Sequence, residues 1–108
     1  MIADDSAQEL SIVVPVYNEA ENVEILCDRV GRTMETIGCS YELIIVDDGS
    51  TDSTLAVAEK LADSDPRIRV IPSRRNFGQT AAMRAGIQHS RGRVVVTMDG
   101  DLQNDPAD

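Results

Sequence analysis

Two pairs of neighbouring carboxylates stand directly after apolar runs. Asp99 and Asp101 follow Val94-Val95-Val96-Thr97-Met98, and Asp47 and Asp48 follow Leu43-Ile44-Ile45-Val46. An Asp-x-Asp at a strand end sets two hard oxygen ligands where a divalent cation can sit, with coordination left for water and phosphate oxygens. Such a site suits Mg²⁺ or Mn²⁺ and does not suit zinc. The amide oxygen of Gln103 adds a further candidate ligand.

Asp47-Asp48-Gly49-Ser50 has the composition of a turn entering a helix, which accounts for one of its carboxylates. Two adjacent carboxylates at a buried strand end repel each other, and the second has no evident structural task, so Asp48 is expected to meet a ligand. Tyr17-Asn18-Glu19 forms another polar group after Ile12-Val13-Val14-Pro15-Val16. Asn18 and Glu21 fit a helix cap with its reciprocal acid, which leaves Glu19 free for a ligand. Arg74 and Arg75 close a further apolar run just before a helical segment, where an anion can meet guanidinium groups and free backbone N–H donors. His89, the single histidine, falls late in that helix and is given no catalytic role.

These groups need a frame that brings strand ends together, and the hydrophobic pattern supplies one. Leu10–Val16, Tyr41–Val46, Ile68–Ile71 and Val94–Met98 read as strands apolar on both faces, hence covered by helices on either side. Between the first two, Val23, Leu26, Cys27, Val30, Met34 and Ile37 form one helical stripe, closed by Gly38. A second helix is expected to start near Ser50-Thr51-Asp52. A third presents the small residues Gly78, Ala81, Ala82, Ala85 and Gly86, which let its backbone lie close to a sheet or a ligand. The alternation predicts a doubly wound α/β fold with a parallel sheet, whose ligands bind outside the carboxyl ends of the strands.

Composition narrows the function. The 108 residues carry 19 acids against 10 bases, a net charge of −9, with 42% apolar residues. One domain is the upper bound, and a cationic field for non-specific nucleic-acid binding is lacking, so no nucleic-acid partner is expected. Basic residues concentrate in 67–93, which holds 7 bases and no acid. Arg67, Arg69, Arg91 and Arg93 are expected to form a solvated face. Cys27 and Cys39 make neither a metal cluster nor a disulfide framework, and suit a reducing cytoplasm. The acidic first ten residues do not read as a secretion signal, and no apolar run reaches the ~20 residues that span a bilayer. No G-x-G-x-x-G follows the first strand and no P-loop occurs, so phosphate would have to be held by a metal.

Four segments, Val14-Pro15-Val16-Tyr17-Asn18-Glu19, Val46-Asp47-Asp48-Gly49-Ser50-Thr51-Asp52, Arg75-Asn76-Phe77-Gly78-Gln79 with Ala81-Ala82 and Ala85-Gly86, and Met98-Asp99-Gly100-Asp101-Leu102-Gln103, fall in order at successive strand ends. Together they resemble the donor-binding half of family 2 glycosyltransferases, most of all the polyprenyl-phosphate and dolichyl-phosphate type. The resemblance implies a Rossmann-like doubly wound sheet, the nucleotide-binding half of a GT-A fold. It implies metal-dependent, inverting transfer of a sugar from a UDP- or GDP-linked donor to an acceptor such as a polyprenyl phosphate. By the same resemblance Pro15, Tyr17 and Glu19 belong to the nucleoside pocket, Asp48 to the base, and Asp47 to that pocket as a donor-binding residue that supports or contacts it. Asp99 goes to the ribose and sugar-phosphate region, and Asp101 and Gln103 to the metal, with Asp99 a candidate for that role too.

Residues 1–9 then read as an extension and 10–108 as the donor part, with acceptor site and general base expected beyond Asp108 and no catalytic base within the chain. The resemblance thus implies an amino-terminal portion of a longer cytoplasmic enzyme working at the cytoplasmic face of a membrane, inactive by itself. Its open sheet edge would be a route to self-association. Two alternatives remain: a receiver-like or dehalogenase-like phosphoryl-transfer domain, and a non-catalytic nucleotide-binding module. Against the former, Tyr17-Asn18-Glu19 stands where a dehalogenase would hold its Asp-x-Asp, and Lys60 is the single lysine.

Overall fold

The structure, a computed structural model, describes residues 8–99. Asp101 and Gln103 lie outside the described residues. Strands and helices alternate: β1 (Leu10–Val16), α1 (Ala20–Ile37), β2 (Tyr41–Asp47), α2 (Thr54–Ser64), β3 (Ile68–Pro72), α3 (Gln79–His89) and β4 (Val94–Thr97). The strands form one parallel sheet in the order β3-β2-β1-β4, as the alternation predicts.

The centre of the sheet is β1 against β2, paired in register from Leu10↔Tyr41 to Val16↔Asp47. Alternate residues serve the two faces. Ile12, Val14, Val16, Leu43 and Ile45 meet Val23, Leu26, Val30 and Met34 of α1 and Ala58 of α2, while Val13, Ile44 and Val46 meet Ala82 of α3. Each such side chain contributes roughly 1.5–3 kcal/mol by leaving water. Two-sided burial makes these strands continuous apolar runs and confines polar side chains largely to their ends.

Four details depart from the sequence reading. Ile37 is exposed, because the α1 stripe ends at Met34, whose carbonyl takes the Gly38 N–H at 2.8 Å. The second helix starts at Thr54 rather than near Ser50, since Ser50 and Thr51 are tied to Asn18 and the Asp52 carboxylate accepts the Thr54 N–H at 2.9 Å. Strand β4 is exposed along its whole length, because among the described residues it is an outer strand and α3 packs chiefly over β1 and β2. Arg69 is not simply solvated: its guanidinium donates to Glu42 Oε1 at 2.7 Å and to the His89 carbonyl at 2.8 Å.

Glu42 is 3% exposed near the start of β2. Its Oε2 accepts the Ser11 hydroxyl at 2.6 Å and the Arg91 N–H at 2.6 Å, and Ser11 Oγ accepts the Gly92 N–H at 2.7 Å. Burial pushes this carboxyl up, but the Ser11, Arg91 and Arg69 donors outweigh it and hold it below the ordinary glutamate value. A group depressed on folding contributes stability above its unfolded pKa and loses it as pH falls through the folded one. The Glu42 contribution should therefore be complete at neutral pH and decline below about pH 4.3. We expect Glu42→Gln to lower stability at pH 7 and to flatten that acid limb; urea titrations at a series of pH values check this, and parallel wild-type and variant curves would contradict it.

The small-residue face of α3 allows a close approach. A Cβ at Gly86 would overlap Val13 Cγ1 and come within 3.1 Å of Val46 Cγ2. Overpacking of this kind typically costs about 1–3 kcal/mol. Gly86→Ala should reduce the unfolding free energy by that amount, measured by chemical denaturation at pH 7.

Candidate functional site

In the order β3-β2-β1-β4 the chain runs outward from β1 to β3 and then returns to the other side of β1, so direction reverses between β1 and β4. Ligand crevices of open α/β sheets lie at such a reversal, outside the carboxyl ends. A cavity of about 150 Å³ occurs there, lined by Pro15, Val16, Tyr17, Glu19, Asp48, Gln79 and Asp99. Of the residues expected in a donor site, Pro15, Tyr17, Glu19, Asp48 and Asp99 come together on this wall. Asp47, 2% exposed, lies outside the lining: its Oδ2 accepts the Ser50 N–H at 3.3 Å, and among the described residues its Oδ1 is buried without a hydrogen-bond partner.

Asn18 does not cap α1. It adopts φ 51, its N–H donates to Ser50 Oγ at 2.9 Å, and its Oδ1 accepts the Thr51 N–H at 2.8 Å, so it ties the β1–α1 loop to the β2–α2 loop. Glu19 stands at the N-cap position instead, its N–H donating to Thr54 Oγ1 at 2.9 Å and its Oε2 accepting from Asn22 at 2.7 Å. The reciprocal pairing expected of Glu21 therefore has no partner at Asn18. An asparagine tolerates left-handed backbone better than other non-glycine residues.

Asp48 has the structural task that its sequence lacked a signal for. Its Oδ1 accepts the Phe77 N–H at 2.9 Å and its Oδ2 the Gly78 N–H at 3.0 Å, although it is only 4% exposed on the cavity wall. Beside it, Gly49 at φ 72 lies so close to the Arg75–Asn76 backbone that no Cβ fits. Sequence reasoning missed Gln79 as a lining residue. The available signal was its place just after two amides that open a helix and need acceptors. Arg74 and Arg75 do not line the cavity; the Arg75 guanidinium lies 4.9 Å from the centre of the Phe77 ring.

The lining carboxylates are hard oxygen donors that suit Mg²⁺ or Mn²⁺, but among the described residues no three His, Cys, Asp or Glu side chains cluster closely enough to hold a metal. Of the expected metal ligands only Asp99 lies within the described residues, and Asp101 and Gln103 fall outside them. Burial, with Asp65 and Glu24 adding to it, pushes the Cys27 thiol up to about 11, so it is not a nucleophile at neutral pH. His89 is exposed and bonds to the Ala85 carbonyl at 2.8 Å. No helix among the described residues is long and apolar enough to cross a membrane.

The sequence matches the family described as Glycosyl transferase family 2 over residues 11–108. The chain belongs to that family, and its sheet is the nucleotide-binding half of the GT-A fold. A relative, dodecaprenyl-phosphate galacturonate synthase of Rhizobium johnstonii, is 54% identical over 101 residues, 93% of this chain and 30% of that protein. An undecaprenyl-phosphate 4-deoxy-4-formamido-L-arabinose transferase of Pectobacterium carotovorum is 42% identical over 103 residues, 94% of this chain and 32% of that one. The chain thus spans about a third of the length of these relatives. A mannosyltransferase of Pyrobaculum calidifontis in complex with GDP-Man and Mn²⁺ superposes with TM-score 0.73 at 26% identity, over 93% of this chain and 30% of that one. Glucosyl-3-phosphoglycerate synthase of Mycobacterium tuberculosis, in complex with Mn²⁺ and UDP, does so with TM-score 0.67 at 26% identity, over 87% and 34%. Membership in this family removes the phosphoryl-transfer alternative.

The Asn18 bridge yields a prediction about the floor of the site. Asn18→Ala loses an accepted hydrogen bond and strains a left-handed backbone, and should cost about 1–2 kcal/mol. Asn18→Gly, which removes the strain but not the lost bond, should cost less. Denaturant midpoints of the two variants check the order.

Proposed function

We propose that this chain forms the nucleoside diphosphate sugar site of a metal-dependent, inverting glycosyltransferase whose acceptor is a polyprenyl phosphate. The observation that carries this reading is the cavity at the β1/β4 reversal, where Pro15, Tyr17, Glu19, Asp48 and Asp99 converge from three strand ends. The names of the curated relatives support the lipid phosphate acceptor, and the neighbours in complex with GDP-Man and with UDP support the donor class.

The chemistry follows from the side chains. Each oxygen of Asp48 already accepts one amide and keeps a second lone pair, with which it takes an N–H of the nucleobase. The ring of Tyr17, 43% exposed, offers an apolar face beside the base, and Glu19 accepts from the nucleoside. Asp99, next to β1 at the end of β4, accepts ribose hydroxyls. In the transfer the anomeric carbon–oxygen bond to the diphosphate breaks and a bond to an acceptor phosphate oxygen forms, releasing the nucleoside diphosphate. The acceptor, already ionised, does not need a strong base to remove a proton. Its lipid tail puts the working protein at a membrane surface.

Among the described residues the lining carries carboxylates and no cationic side chain. A diphosphate brought to ~4 Å from each ionised carboxylate meets roughly 4 kcal/mol of repulsion per pair at an effective dielectric of 20. Mg²⁺ or Mn²⁺, when bound, supplies the neutralising charge; Asp101 and Gln103 are the ligands we assign to it, with Asp99 a further one. Calorimetric titration of UDP and of GDP with Mn²⁺, with Mg²⁺ and with chelator tests this. We expect at least tenfold tighter binding with metal; equal affinity in chelator would refute the metal assignment, and no binding of either nucleotide under any condition would refute the donor site.

A further inference from the structure

We propose that Gln79 contacts the ligand directly and that Asp48 is its positioning residue, acting through the backbone of Phe77 and Gly78. The inference rests on the reading of the cavity as a nucleoside diphosphate site and assigns it a polar group beyond the carboxylates.

The cavity wall is rich in acceptors. Glu19, Asp48 and Asp99 can only accept hydrogen bonds when ionised, and among the described lining residues the side-chain amide of Gln79 is, apart from the Tyr17 hydroxyl, the one side-chain group able to donate. A keto nucleobase edge, such as that of uracil or guanine, presents an N–H beside a carbonyl. Such an edge needs an acceptor and a donor side by side. Asp48 provides the first and Gln79 the second. An amino base such as cytosine or adenine reverses the pattern, and its unprotonated ring nitrogen would face the Asp48 carboxylate.

Holding a side chain of this length in place requires a fixed backbone, and the structure has one. Gln79 is the first residue of α3, and both amides that precede it are held by the two oxygens of the same carboxylate, at 2.9 Å and 3.0 Å. Gly78 turns the chain at φ 103, a conformation that other residues rarely adopt. On the outer side, the Arg75–Asn76 backbone rests on Gly49 without room for a Cβ. Asp48 therefore fixes where α3 begins, and with it the direction in which Gln79 leaves the helix. Replacing one carboxylate oxygen by an amide nitrogen removes one of the two acceptors and frees Phe77 or Gly78.

A double-mutant cycle on UDP binding in Mn²⁺ tests this, with CDP as the comparison nucleotide. Gln79 is exposed, so Gln79→Ala should keep the wild-type unfolding midpoint while weakening UDP binding about tenfold and CDP binding little. Asp48→Asn should weaken UDP binding further and speed hydrogen exchange at the Phe77 and Gly78 amides. The double variant should bind no more weakly than Asp48→Asn, because Gln79 has then already lost its position. Should Asp48→Asn fail to fold, Gln79→Glu carries the test: an acceptor of the same length should weaken UDP binding more than alanine does. Wild-type affinity in Gln79→Ala or Gln79→Glu, or losses that multiply in the double variant, would overturn the inference while leaving the donor site intact. Failure of the wild-type chain to bind any nucleoside diphosphate would overturn both.

Discussion

Two-sided burial of β1 and β2 is the constraint on which the rest of this molecule depends. A parallel pair in register from Leu10↔Tyr41 to Val16↔Asp47 leaves almost no place for a polar side chain except where the strands stop. The exceptions, Ser11 and Glu42, lie at the start of the strands and satisfy one another together with Arg69 and the amides of Arg91 and Gly92. At the carboxyl ends the strands emerge from between their helices, and the polar residues there need partners. Some find them in neighbouring loops, as Asn18 does in Ser50 and Thr51. Others line a cavity.

The fold was legible because its elements differ in period. Val23, Leu26, Val30 and Met34 repeat with helical spacing and do bury against the sheet, and the continuous runs of β1 and β2 are the expected mark of strands covered on both faces. Strand β4 was the weak point: Val94, Val95 and Val96 have the same local composition as the central strands and yet are exposed. Composition reports what a residue can do, whereas an outer position depends on where α3 crosses, which is a long-range fact. The start of α2 was misplaced for a related reason. Ser50 and Thr51 are good capping residues, but Asn18, more than 30 positions away, claims them first.

Much of the cavity could be read from the chain because strand-end residues in an open parallel sheet share one edge. Tyr17, Glu19, Asp48 and Asp99 are brought together by topology alone. What could not be read was the double use of Asp48. Its task as acceptor for two amides depends on the approach of a loop 29 and 30 positions further along, for which the sequence has no local sign. A carboxylate that looked free of structural duty is thus both a wall of the cavity and the post to which α3 is tied. Gln79 was part of a recognised motif, yet its place on the cavity wall was not foreseen for the same reason, since it lies at a helix start tied to Asp48.

The exposed fourth strand has a consequence for motion. Asp99 sits at the end of a four-residue strand that, among the described residues, pairs with β1 alone, whereas Asp48 follows a strand buried at the centre. Local opening free energies track buried contacts and shielded hydrogen bonds, so the Asp99 side of the crevice is expected to open more readily than the Asp48 side. The Asp48 side is anchored in the buried core, and the Asp99 side stands on an exposed strand. A ligand spanning both would join them, coupling an exposed described edge of the sheet to its buried centre.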